Sequence, residues 1–403
     1  DYMKEKYARL LLVKCLGLEN KRPLFIQGNE YTREFIEIVK KEAIKLGIND
    51  IYVLSIDQME RHDLIKKLSL EEIITHPLFD KSIMNTYAEK GAAFLMLSSM
   101  IPDLMNDVDK DKLAKTIRHE RETEWLYRKK QHVNEVPWCI ACIPNIKWAN
   151  DLFPSEEGAL DKLWNLIYQV CLVDKKDPIK AWDELISTNK ALCDKFNKLE
   201  LRELRYKNSL GTNLSIKLPE GHIWCGGTIN NDLIVNMPTL EIFTSPLMKG
   251  VNGIVYNAKP LLYNNVLIDD FYIEFKDGKV INYAAKKGFD TLKGIIETDE
   301  YSCYLGEVAL VPYDSAISNT NVIFKDTLLD ENASCHLALG ASYPECMKGA
   351  DNKEKDELRK MGVNDSKAHV DFMVGTSDLD IVGITKDNKE IQIFKNGNFS
   401  EDL

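Results

Sequence analysis

Long hydrophobic runs are missing from this sequence. No stretch approaches the roughly 18 apolar residues that a membrane span needs. The early run at 10–13 is too short, and too charged at its flanks, for a signal peptide. No membrane partner is expected, and a cytoplasmic location is. Positive charge is also in deficit: 52 Lys and Arg stand against 63 Asp and Glu, a formal net charge of -11. Such a chain gains nothing from neutralising phosphates, so no nucleic-acid partner is expected. An ordered cysteine pattern is lacking too. The nine cysteines, at 15, 139, 142, 171, 193, 225, 303, 335 and 346, are odd in number and irregular in spacing. That suits reduced thiols better than a disulfide framework. Cys139 and Cys142 form a C-x-x-C with no second pair at zinc-finger distance, inside an apolar run that reads as a buried strand. Neither G-x-G-x-x-G nor G-x-x-x-x-G-K-[ST] follows any strand candidate, which removes the usual nucleotide-binding signatures. No G-x-S-x-G elbow is present, and Cys335 beside His336 does not make a nucleophile–base pair through adjacency alone.

What is present suits a globular enzyme. The chain has 403 residues, 44% hydrophobic and 29% charged, enough for two domains with substantial cores. The first half alternates periodicities. Strand-like runs at 23–27, 50–56, 92–97 and 138–143 are separated by helical patterns. One of these, at 31–47, places Phe35, Ile36, Val39, Ala43 and Ile44 on one face. A long polar helical region follows residue 56, and helices are expected near 157–173 and 178–198. This order predicts βαβ units and a mostly parallel sheet. After about residue 200 short alternating runs take over, at 214–218, 233–236, 271–275 and 308–312. Gly226-Gly227, Asn252-Gly253 and Asp277-Gly278 read as turns among them. The expected organisation is an α/β N-terminal domain over 1–195, serving recognition or dimerisation, and an α+β, β-rich catalytic domain over 196–403.

The second half holds acids and histidines in short apolar or turn-bounded segments. Such groups, aimed at one point, are what metal-assisted hydrolysis needs, and a two-metal site needs roughly five or six of them. His369 and Asp371 lie two apart in a strand-like run, so they share a face. The alternative is a core histidine hydrogen-bonded to Asp371. Glu331 and His336 are five apart, about 140° on a regular helix, and face one site only if a turn lies between them. The alternative there is a helix start capped by Asp330. Glu307 opens an apolar run, where an unpartnered carboxylate is costly to bury; a solvated edge position is its alternative. Glu241 lies among Leu240, Ile242 and Phe243, with prolines on both flanks that point to a sheet edge or loop. Tyr343 adds a phenol that could donate to an oxyanion.

Together these segments resemble the aminopeptidase T / aminopeptidase S family of metallopeptidases. The resemblance rests on Leu210-Gly-Thr-Asn-Leu214, Asn236-Met-Pro-Thr-Leu-Glu-Ile-Phe-Thr244 and Leu305-Gly-Glu-Val-Ala-Leu-Val311. It extends to Thr327-Leu-Leu-Asp-Glu-Asn-Ala-Ser-Cys-His-Leu-Ala-Leu-Gly340 and His369-Val-Asp-Phe-Met-Val-Gly375, with Trp148-Ala149, Phe153-Pro154 and Asp177-Pro178 upstream. It implies peptide substrates with a free α-amine, two divalent metals (zinc, cobalt or magnesium) and a homodimer. By motif position it implies Glu241, Glu307, Glu331, His336, His369 and Asp371 as metal ligands, Glu307 as the bridging carboxylate, and Tyr343 beside the reacting carbonyl. Glu307 is the first candidate for carrying the proton to the leaving amine and Glu331 the second. Two positions depart from the family pattern. Leu240-Glu241 stands where two adjacent acids are usual, and Ala316 where proline is usual. The alternative function is a non-catalytic relative that binds metal or peptide.

Overall fold

Residues 2–230, 232–264 and 266–403 are described in the computed structural model of the chain. Their internal contacts divide them into two compact units. One runs from the N-terminus to Glu184 and takes in Thr228–Thr239; the other joins Leu185–Gly227 to Leu240–Leu403.

The first unit is built on a five-stranded sheet, ordered Asn236–Met237, Trp138–Cys142, Ala93–Ser98, Leu24–Gly28 and Ile51–Ser55. Every pairing is parallel. The four longer strands match the runs expected from sequence. Helix Arg33–Lys45 buries Phe35, Ile36, Val39 and Ala43, the stripe its spacing predicts; Ile44, assigned to the same face, is exposed instead. The polar region after residue 56 is not one long helix. It breaks into Gln58–Lys67, Leu70–Thr75, a 3-10 turn at Pro77–Phe79, and Ile83–Glu89. The restart is chemical: Ser69 and Glu72 form a reciprocal capping box at the second helix, and Pro77 ends continuation after it. Helices Ala159–Val170 and Pro178–Leu199 fall where expected. The run at 233–236 splits into two short strands, of which Asn236–Met237 adds an edge to the parallel sheet. Cys139 and Cys142 are buried on their strand, and neither is in a disulfide.

The second unit contains an antiparallel sheet of nine strands among the described residues and a second antiparallel sheet of five. One apolar cluster draws on both. Leu204, Ile216, Val251 and Phe271 come from the larger sheet, and Val308, Leu337, Val370 and Phe372 from the smaller. The Phe271 and Phe372 rings meet at 5.9 Å. This is sheet-on-sheet packing, with one face of each sheet committed to the core.

Two of the glycine signals read as turns are not turns. Gly226 lies in the short strand Cys225–Gly226, and Asn252-Gly253 lies inside strand Val251–Tyr256. Gly253 has φ +116°, and a Cβ there would meet the Asn213 carbonyl oxygen at 2.2 Å. The glycine therefore serves a close backbone approach. Asp277-Gly278 is a true hairpin turn between Val266–Lys276 and Lys279–Lys287, with positive φ at both residues.

Candidate active site

The five-stranded sheet of the second unit runs in the order His369–Met373, His336–Gly340, Leu305–Leu310, Ile242–Thr244 and Cys225–Gly226, all antiparallel. Alternation along its strands separates two populations. Ile242, Val308, Leu310, Leu337, Leu339, Val370 and Phe372 enter the core. Their chain neighbours Glu307, His336, Ala338, His369 and Asp371 take the other face, with Glu241 just before its strand. The register places Glu307 opposite Ala338, and Ala338 opposite Asp371, so the two acids lie in one row across a small residue. A bulge at Gly306 shifts the register between Leu305 and Glu307. Leu305 consequently joins the core while Glu307, two residues on, does not. A Cβ on Gly306 would lie 2.3 Å from the carbonyl oxygens of Gly340 and Ala341.

The structure brings the expected residues together. Glu241, Glu307 and His336 offer three ligand atoms within 4.8 Å of one another, and so do Glu307, His369 and Asp371. Glu307 is common to both groups. Glu331 belongs to neither, although its carboxyl feels the charges of Asp371, Glu241, His336 and Glu307. His336 Nε2 lies 2.8 Å from Glu241 Oε2; His369 Nε2 lies 3.3 Å from Glu307 Oε2 and 3.5 Å from Asp371 Oδ1. Both imidazoles turn Nδ1 to a backbone carbonyl: His336 to Ser334 at 3.1 Å and His369 to Ala341 at 2.8 Å. With Nδ1 committed to a carbonyl, each ring turns Nε2 toward the acids, the nitrogen that would serve a metal once deprotonated.

Three alternatives drawn from sequence give way. Glu307 is not at a solvated edge; its strand is the middle one of five and it is 3% exposed. Strand Ile242–Thr244 is not an edge either, because Pro238 and Pro246 fall outside its three residues and Cys225–Gly226 pairs beyond it. Asp330 does not cap a helix start. It ends the short helix Thr327–Asp330 and accepts from Phe324 N at 2.8 Å. Burial pushes its carboxyl up to about 7. The helix ends there, a 3-10 turn covers Glu331–Ala333, and Ser334 is extended. That is the turn Glu331 and His336 need to face one place.

Electrostatically the cluster is short of positive charge. Burial and the Asp371 carboxylate push the Glu307 carboxyl up to about 8. Burial, Asp371 and Glu241 push Glu331 well above its usual range. Burial disfavours charged imidazoles, yet the acids outweigh it: Glu241 above all raises His336 to about 10, and Asp371 with Glu307 raises His369 to about 11. Two buried carboxylate oxygens, Glu241 Oε2 and Asp371 Oδ1, accept no hydrogen bond despite the nearby imidazoles. Buried acceptors left this way are costly unless a cation meets them. A set of carboxylate oxygens and imidazole nitrogens with orphaned atoms pointing inward fits divalent metal.

The sequence of the thermophilic metalloprotease (M29) family matches this one over residues 2–399. The chain belongs to that family. Among its curated relatives are Aminopeptidase 2 of Geobacillus stearothermophilus and Aminopeptidase AmpS of Bacillus subtilis (strain 168). Each is 36% identical; the first alignment covers 99% of this chain and 98% of the relative, the second 98% and 97%. The solved structure of wild-type AmpT from Thermus thermophilus superposes with a TM-score of 0.90 at 28% identity, over 99% of both chains. As a metalloprotease the protein uses divalent metal, and the buried acid–histidine cluster is the part of this unit whose chemistry suits it. Among the described residues no helix is long and apolar enough to cross a membrane.

Several positioning groups gave no sequence signal. Asn332 is fully buried. It accepts from Leu240 N at 2.8 Å and donates to Leu328 O at 3.2 Å, which ties the Glu241 segment to the Glu331 turn. Asn364 donates to Gly340 O at 2.7 Å, and Asp299 accepts from Lys367 N at 2.6 Å and from Ser366, holding the approach to His369. Tyr343 places its hydroxyl 3.2 Å from His369 Nε2, and its ring packs edge-on to Phe243 at 5.4 Å.

Proposed function

We propose that this chain is a dinuclear metalloaminopeptidase that hydrolyses the N-terminal peptide bond of peptides with a free α-amine. The observation that carries the reading is the sharing of Glu307 by two three-ligand groups. One carboxylate serving two groups is what a bridged pair of divalent cations requires. In this reading Glu241 and His336 would hold one cation, His369 and Asp371 the other, Glu307 would serve both and Glu331 would complete the set; zinc, cobalt or magnesium suits these donors. When bound, divalent cations supply Lewis-acid polarisation of the scissile carbonyl and make water nucleophilic near neutral pH.

The chain's own groups do the remaining work. The carbonyls of Ser334 and Ala341 fix the imidazoles in the ligating tautomer. Burial and the charges of Glu307 and Asp371 keep the Tyr343 phenol protonated, well above its ordinary range, so it remains a donor for a developing oxyanion. Glu307 is the first candidate to pass a proton to the leaving amine. Glu331, outside both three-ligand groups, is the second. A carboxylate of the cluster would also meet the substrate's α-ammonium, which explains a need for an unblocked N-terminus. We further assign catalysis to the β-rich region after residue 195, recognition or dimerisation to the α/β region before it, a homodimeric state and a cytoplasmic location.

The test is hydrolysis of aminoacyl-nitroanilides and their N-acetylated counterparts by metal-free protein and after adding zinc, cobalt, manganese or magnesium. Metal-dependent release from free-amine substrates alone is expected. Equal cleavage of blocked substrates, or release insensitive to metal, would overturn the reading. Metal binding with no turnover would move it to a non-catalytic relative.

A further inference from the structure

We propose that Cys225 and Cys346 form a redox-active thiol pair beside the catalytic face, which low-molecular-weight disulfides close to an intramolecular disulfide. Their sulfurs lie 3.7 Å apart, with the Cys346 thiol donating to Cys225. The backbone already holds the two segments side by side. Ile223 N donates to Cys346 O at 2.7 Å, and His222 bridges Met347 in antiparallel fashion. Closing the bond asks the sulfurs to approach by roughly 1.7 Å, since a disulfide is about 2.05 Å long. That movement is of side-chain rotamer size.

The two thiols differ in the way an attacking and a resolving cysteine must. Of the nine cysteines, eight are buried and Cys225 is partly exposed. The hydrogen bond from Cys346 holds the Cys225 thiol below its usual range against the effect of burial. The same bond, with burial, holds Cys346 well above its own. Cys225 is therefore the thiolate that meets a reagent. The Cys225 thiolate attacks one sulfur of an external disulfide RSSR, forming Cys225–S–S–R and releasing RS⁻. The Cys346 thiol then loses its proton to RS⁻ and attacks the Cys225 sulfur, expelling the second RS⁻, which takes a proton from solvent. The pair gives up two electrons, and RSSR is reduced to two RSH.

Both cysteines are tied through their backbones to Tyr343 or to the strand that supports it. Cys225 stands opposite Phe243 in the register, and the Phe243 ring packs on Tyr343. Cys346 N donates to Tyr343 O at 3.0 Å. Drawing the two segments together shifts the phenol relative to His369. The effect on turnover rests on the aminopeptidase reading, whereas formation of the bond does not.

The metal-loaded protein is incubated with glutathione disulfide. Crosslinks are mapped by peptide mass spectrometry, and activity is followed before and after reduction with a phosphine, which spares bound metal. The expected product carries a single Cys225–Cys346 crosslink. Its kcat falls by roughly ten- to a hundred-fold, the scale of a misplaced catalytic group, and recovers on reduction, with KM little changed. Cys225→Ser and Cys346→Ser keep basal activity and become insensitive to the oxidant. The seven other cysteines serve as internal controls. No crosslink at excess oxidant, crosslinks elsewhere, or equal loss in Cys225→Ser sinks the proposal. A crosslink with unchanged kcat removes the link to Tyr343. Protein inactive before treatment but correctly crosslinked would count against the aminopeptidase reading and leave the thiol pair standing.

Discussion

The two five-stranded sheets of this chain bury their side chains on different plans. In the parallel sheet, consecutive residues are buried: Leu24, Phe25 and Ile26 have no exposure, nor do Ala93, Phe94 and Leu95. Both faces are spent on packing, as is general for parallel sheets. The central strands of the five-stranded antiparallel sheet are buried on both faces too, but only one face is apolar core. Leu337 and Leu339 enter the core while His336 and Ala338 between and beside them do not. A face kept out of the apolar core can hold acids and histidines away from water without breaching that core. The acid–histidine cluster stays on that face, and the core behind it is apolar.

Four experiments would break or sharpen this contrast. The largest effect is expected from Glu307→Gln, which removes the carboxylate common to both ligand groups: turnover falls to background and metal content drops, while the melting temperature of the metal-free protein holds or rises. Retained turnover with full metal content would remove Glu307 from its role. Next is Ala338→Leu, which sets a large side chain between Glu307 and Asp371 on the ligand face. Metal content measured after dialysis should collapse, with a stability cost of about 1–3 kcal/mol for overpacking. Tyr343→Phe deletes only the phenol hydroxyl. A loss of about a hundred-fold in kcat, with KM nearly constant, is the size expected for one oxyanion donor. Ile26→Ala in the parallel sheet is the counterpart: about 2–5 kcal/mol of stability lost, seen in denaturant unfolding, with metal stoichiometry unchanged.

A gentler consequence is the pH dependence of the metal-free protein. Glu307, raised to about 8 in the folded state, binds a proton there that it gives up when unfolded. His336 and His369, raised to about 10 and 11, do the same. Groups with raised folded pKa stabilise below their unfolded values, and that contribution fades as pH rises through the folded ones. Asp371, lowered to about 2, acts in the opposite sense but only in acid, below its ordinary range near 3.8. The melting temperature of metal-free protein should therefore decline from about pH 5 toward pH 9, and added divalent metal should flatten the decline. A rising profile would contradict the charge deficit described for the cluster.

Much of this was legible in the linear sequence because period two is a local property. His369 and Asp371 announce a shared face by spacing alone, and the parallel strands announce themselves as uninterrupted apolar runs. The misreadings came where a partner distant in sequence decides. A solvated edge stayed open as the alternative for Glu307 because nothing near it in sequence reveals that strands pair on both sides. Asn252-Gly253 looked like a turn because the Asn213 carbonyl that demands a glycine is some forty residues away. Asn332 and the carbonyls of Ser334 and Ala341 hold the site through hydrogen bonds that leave no mark on residue type.

The bulge at Gly306 has an evolutionary consequence. It resets the parity of its strand, so that Leu305 and Glu307 part ways although an unbroken count would send them to the same side. Deleting that one residue would make Leu305 and Glu307 consecutive opposite Leu339 and Ala338, and plain alternation would keep the leucine in the core and the glutamate on the ligand face; straightening the strand with Gly306 kept would instead send one of them to the wrong side. Descendants of this chain can lengthen and shorten their exposed loops freely, but in this strand Gly306 is the residue whose loss would leave both faces as they are.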